Sequence, residues 1–134
     1  MKKTINLILA IMLFSLICSG CANLSLDPQA LAGRSIKDLE KARSTGKEKT
    51  LPLAYDTAFS TVTKILKKNG LAIYQSDKEK GYIVAIGFPQ QVNTTRVGIF
   101  FESPAPDKTR ITLSSLSSTA LVKAETIIFK ELEK

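Results

Sequence analysis

The two cysteines, Cys18 and Cys21, sit together at the close of an apolar N-terminal run, and this placement decides how the rest of the chain must hold itself together. A disulfide inside a folded body is excluded, so stability has to come from apolar burial alone. Residues 51–134, roughly 85 in number, carry enough pattern for one modest two-layer domain. Histidine and tryptophan are absent. Without imidazole, the common general base near neutral pH and the commonest metal ligand are missing. A Ser-His-Asp or Cys-His arrangement therefore cannot exist in this chain. The expectation is a non-catalytic protein with neither cofactor nor metal.

The N-terminus is the most informative stretch. Met1-Lys2-Lys3 is a short positive region, and an apolar run from Ile5 to Ile17 follows it. That run has the length of an export-signal core and falls short of the roughly 20 residues that a membrane-spanning helix needs. Ile17-Cys18-Ser19-Gly20-Cys21-Ala22 then places small residues directly before a cysteine. This ending resembles the lipobox of bacterial lipoproteins. One position departs from it, since Cys18 stands where leucine is usual. The resemblance implies cleavage between Gly20 and Cys21, a diacylglyceryl group on the Cys21 thiol and acylation of the new amine. It also implies sorting: Ala22, in place of aspartate, points to the outer membrane with the protein facing the periplasm. In a host without an outer membrane the address is the cell membrane. Acyl chains contribute about 0.8 kcal/mol per buried CH₂, so two or three of them anchor a protein stably to a lipid bilayer.

Removing residues 1–20 takes Lys2 and Lys3 with them, which lowers the formal charge from +7 to +5. A basic balance of that size favours anionic neighbours in general. The basic residues are interspersed with acidic ones and lack interleaved aromatics, so nucleic acid is not expected as a partner. Residues 21–50 are polar and read as a tether. Within it Ser35 to Ala42 can form two helical turns, with Ser35 as cap and only Ile36 and Leu39 as apolar anchors.

From Leu51 the pattern tightens into a domain spanning residues 51–134. Tyr55, Ala58, Phe59, Val62, Ile65 and Leu66 form one helical stripe, and Asn69-Gly70 ends it. Leu71 to Ser76, Tyr82 to Phe88, Thr95 to Glu102 and Arg110 to Ser114 read as strands joined by tight turns. A further short strand is possible at Leu51 to Leu53. Ser117 or Ser118 can cap a final helix carrying Leu121, Ala124, Ile127, Ile128 and Leu132. Tight hairpins imply antiparallel pairing. The expected fold is α+β, a two-layer sandwich of four to five antiparallel strands with two helices on one face. This element order, together with the lipobox, is similar to the small helix-grip domains of BamC-type outer-membrane lipoproteins. The likeness covers residues 51–134 in element order and implies a flexible lipidated tether ahead of the domain.

Several short motifs invite chemistry. Ser44-Thr45-Gly46-Lys47 spells Ser-x-x-Lys, but in a polar segment with no wall to desolvate Lys47. Asp77 and Glu79 can be read as a metal pair, though Lys78 and Lys80 beside them favour a solvated turn. The run Ser114-Ser115-Leu116-Ser117-Ser118-Thr119 reads either as a binding loop or as a strand end running into a helix cap. Asn23-Leu24-Ser25 and Asn93-Thr94-Thr95 are glycosylation sequons in spelling alone.

The stretch from Tyr82 to Phe88 does not alternate. Tyr82, Val84, Ile86 and Phe88 fall on one side by parity, yet Ile83 and Ala85 on the other side are apolar too, and Phe100 adds to the imbalance. Two helices cover only one face of a sheet. Either the tether or the loop at Pro89 to Asn93 covers the second face, or Tyr82, Phe88 and Phe100, or their opposite-face neighbours, form an exposed patch for a partner. The lipobox resemblance implies an envelope lipoprotein, and the expected role is an interaction or accessory module with a protein partner. The alternative is a carrier that grips a small apolar or lipidic ligand between helix and sheet. An enzyme working through carboxylates or lysine is a distant third.

Overall fold

The computed structural model describes residues 36–134; the leader, Gly20, Cys21, the sequon at Asn23 and the Ser35 cap lie outside the described residues. Helix α1 covers residues 36–41 and tightens into a 3₁₀ turn at Ala42–Thr45. Then come β1 (Lys47–Leu51), α2 (Tyr55–Lys68), β2 (Ala72–Asp77), β3 (Tyr82–Ile86), β4 (Val97–Ala105), β5 (Lys108–Ser115) and α3 (Ser118–Leu132). The strands form one antiparallel sheet in the order β1-β5-β4-β3-β2. The fold is thus α+β, a five-strand antiparallel sheet with three helices packed against it.

Helix α2 follows its apolar stripe: Ala58, Val62, Ile65 and Leu66 are buried. Its end is chemical as well as geometric. The Asn69 side-chain amide donates to the Ile65 carbonyl at 2.8 Å, and Gly70 takes φ +71°, where a side chain would be strained. Helix α3 starts at Ser117, whose Oγ accepts the Ala120 N–H at 3.2 Å. Ala120, Leu121, Ala124, Ile128 and Phe129 are its buried face. These side chains meet Ile83, Ala85, Val97, Ile99, Phe101, Ile111 and Leu113 from the sheet in one continuous core. At about 1.5–3 kcal/mol per buried large side chain, this layer dominates stability.

Two differences from the sequence reading concern boundaries. The first strand is Lys47–Leu51, ahead of the expected Leu51 to Leu53, and it pairs with β5 from Lys47↔Leu113 to Leu51↔Thr109. Its alternation was masked because Lys47 and Lys49 point to the helical side, where Glu125 and Glu133 pair with them. The folded body also begins earlier than residue 51, since α1 packs on the sheet through Ile36 and Leu39, 8% and 2% exposed. Both outer strands are irregular or charged. β1 begins Lys47-Glu48-Lys49, and β2 carries a bulge between Ile73 and Gln75.

Candidate functional site

Strand parity separates two faces. Ile83, Ala85, Ile99 and Phe101 face α2 and α3, so Tyr82, Val84, Gly98 and Phe100 face the other way. Across that second face run residues 36–46, here termed the strap. Ile36 and Leu39 close over Tyr82, Val84 and Phe100 in a cluster separate from the main core. The question left open by the sequence is thereby answered: the polar segment ahead of the domain is the cover.

The three residues grouped as a possible exposed patch are all buried, Tyr82 at 7%, Phe88 at 2% and Phe100 at 4% exposure. They also belong to opposite faces. Tyr82 and Phe100 lie under the strap, whereas Phe88 sits in the main core. Parity fails at Phe88 because the strand ends at Ile86 and Gly87 takes φ +88°, which turns the chain over.

The strap is fixed by polar contacts at its middle and end. Ser114 Oγ donates to the Leu39 carbonyl at 2.7 Å in a buried position. Arg43 lies over the Phe100 ring, 4.8 Å from its centroid, and its guanidinium pairs with Glu102. Arg110 reaches the other Glu102 oxygen at 3.0 Å, so one carboxylate serves two cations. The Arg43 hydrogen bond holds the Glu102 carboxyl below its ordinary range, Arg110 adds to this, and partial burial opposes it. On the β3 side, Gln75 Nε2 donates to the Tyr82 hydroxyl at 2.9 Å.

Two glycines make the close approach possible. A Cβ on Gly46 would lie 2.3 Å from the Leu113 carbonyl oxygen. A Cβ on Gly98 would lie 2.7 Å from the Phe100 ring and 3.0 Å from Ser114 Oγ. Both are glycine for room at the strap and its floor.

The short motifs resolve into structural roles. Ser44 Oγ donates to the Lys41 carbonyl at 3.2 Å, and Lys47 faces Glu125 at 3.7 Å, so the two ends of the Ser-x-x-Lys spelling are engaged elsewhere. Asp77 accepts the Lys80 N–H at 2.9 Å; this bond, ahead of the Lys80 charge, lowers its pKa in a hairpin turn. The serine run is a strand end and a cap. Ser115 Oγ donates to the Arg96 carbonyl and Ser117 Oγ to Gln91 Oε1, at 2.8 and 3.1 Å. Ser114 has the further task of holding Leu39.

Sequence reasoning missed Arg43, Glu102 and Arg110. Arg43 and Glu102 stand 59 positions apart, and no local pattern links them. It also missed the apolar exposure near the start of α3, where Leu116 and Val122 are 77% and 55% exposed. A shallow depression of about 300 Å³ opens there to solvent beside Ser118, Thr119, Val122 and Lys123. Lys123 Nζ donates to the Pro89 carbonyl and to Gln90 Oε1, which ties the β3–β4 loop to α3.

Among the described residues, no helix is long and apolar enough to cross a membrane. The chain matches no known family model and no curated relative.

Proposed function

We propose that this chain is a lipid-anchored lipoprotein of the bacterial envelope whose α+β body is a non-catalytic protein-interaction module. The observation that carries this reading is the two-sided sheet. One face is completed by α2 and α3, while the second apolar face is closed by a few residues of the segment that leads back toward Cys21. An apolar face roofed by the membrane-proximal segment is a surface that a neighbouring envelope protein can use.

Anchoring rests on the lipobox-like ending at Cys21, and the outer membrane facing the periplasm is the address it favours. The stretch from Cys21 to Ile36 spans at most about 50 Å when fully extended. This is shorter than a tether running to residue 50 would allow, so the body works close to its bilayer. The carrier reading has less support. Val62, Leu66, Ile83, Ile99, Ile111, Leu113 and Ile128 occupy the space between helices and sheet and are essentially unexposed.

The test is photo-crosslinking in cells from a probe placed at Glu102, with the products identified by mass spectrometry. A discrete adduct with an envelope protein supports the module. Adducts with lipid alone, or a small ligand that co-purifies in native mass spectrometry, overturn it in favour of the carrier. Cys21→Ser separately tests the anchor: the protein is expected to leave the membrane pellet, and continued sedimentation with membranes refutes lipidation.

A further inference from the structure

The strap differs in kind from the rest of the body. It contributes two aliphatic side chains to a small cluster of its own, one buried hydrogen bond and one guanidinium on an aromatic ring. Within the described residues, positions 36–46 hold to the sheet through these contacts and the Arg43–Glu102 ion pair. Local segments with few apolar contacts open at free energies well below that of global unfolding. When the strap lifts, what remains is a groove floored by Tyr82, Val84 and Phe100, with the Glu102–Arg110 pair at one side and the Ser114 hydroxyl at the other.

From this we infer that the groove is a helix-docking site and that the strap is its intramolecular competitor. The occupant is a helical segment of a partner protein with the chemistry the strap displays. It carries two aliphatic side chains three positions apart, as Ile36 and Leu39 are, and an arginine four positions further on, as Arg43 is. Each part of this description has its complement on the floor. The aliphatic pair meets Tyr82, Val84 and Phe100. The guanidinium has both the Phe100 face and the Glu102 carboxylate, and the Ser114 hydroxyl caps a helix carbonyl. The inference deepens the interaction-module reading and rests on it.

The experiment uses the leaderless chain, residues 21–134 with Cys21→Ser, and a labelled peptide of residues 32–46 as probe, read by fluorescence anisotropy. In a second protein, Ile36→Asp with Leu39→Asp releases the strap. Saturable binding of the peptide to the released protein is expected, at least tenfold tighter than to the unaltered chain, whose own strap competes. A peptide carrying Leu39→Asp is expected not to bind. Absence of saturable binding to a released protein that still melts cooperatively overturns the inference, as does equal binding of the altered peptide or equal affinity for both proteins. If the double variant does not fold, Leu39→Ala serves in its place, with the same expected order of affinities. A stable complex between the unaltered chain and the released protein would assign the groove to a second copy and overturn the partner assignment. None of these results bears on Cys21, so failure here is distinguishable from failure of the anchor.

Discussion

Gly46→Ala isolates the seat of the strap from every other part of the fold. Gly46 has φ −74° and ψ −179°, extended backbone that alanine adopts freely, so no conformational strain enters. What enters is a methyl group 2.3 Å from the Leu113 carbonyl oxygen. An ordinary carbon–oxygen contact lies near 3.3 Å, so about 1 Å must be found. Leu113 cannot supply it, because β5 is paired on both sides and Leu113 is fully buried. The strap and the first residue of β1 must move instead. Overpacking of this kind costs about 1–3 kcal/mol. The lost freedom of the unfolded chain returns about 0.4–1 kcal/mol. The steric effect wins, leaving a net destabilisation of about 1–2 kcal/mol and a Tm lower by roughly 5–10 °C. Calorimetry measures the total, and amide hydrogen exchange locates it. Protection is expected to fall first in residues 39–46, with the amides of α2, α3 and the central strands little changed. A Gly46→Ala protein that melts at or above the temperature of the unaltered chain would refute the reasoning, as would uniform loss of protection.

Two further outcomes follow from the same geometry. Ser117→Ala removes the cap of α3 and the bond to Gln91, and a loss of about 1 kcal/mol in urea unfolding is expected, against none if the cap is idle. Glu102 has a folded-state pKa below its unfolded value, so its stabilisation is fully present above about pH 4.5 and fades as pH falls through the lower, folded value. The gap in urea midpoint between the unaltered chain and Glu102→Gln should therefore be widest above the ordinary carboxylate range and narrow as pH falls below it; a gap independent of pH would show that Glu102 does not work through its charge.

What could be read ahead of the structure followed the strength of local periodicity. Helix α2 repeats its apolar residues at helical spacing and ends on Asn69-Gly70, so both its face and its stop were visible. Helix α3 was marked by Ser117 in the same way. The strap offered two apolar residues, Ile36 and Leu39, in a charged stretch, and their burial depends on a sheet face assembled from residues far along the chain. β1 was hidden because its inward positions are Lys47 and Lys49, whose charges meet Glu125 and Glu133. Phe88 was placed on the wrong face because strand parity holds only while the strand lasts, and Gly87 ends it. The site's polar rim joins Arg43 to Glu102 and Arg110, a conjunction that only the tertiary fold creates.

The outermost strands bear on how such molecules tolerate crowding. β1 offers a neighbour a row of alternating positive and negative side chains, and the extra residue in β2 puts its hydrogen-bonding groups out of step. A second molecule approaching edge-on finds no flat, uncharged template on either side. Copies meeting at high concentration thus lack a regular, uncharged strand edge on which to zip into fibrils.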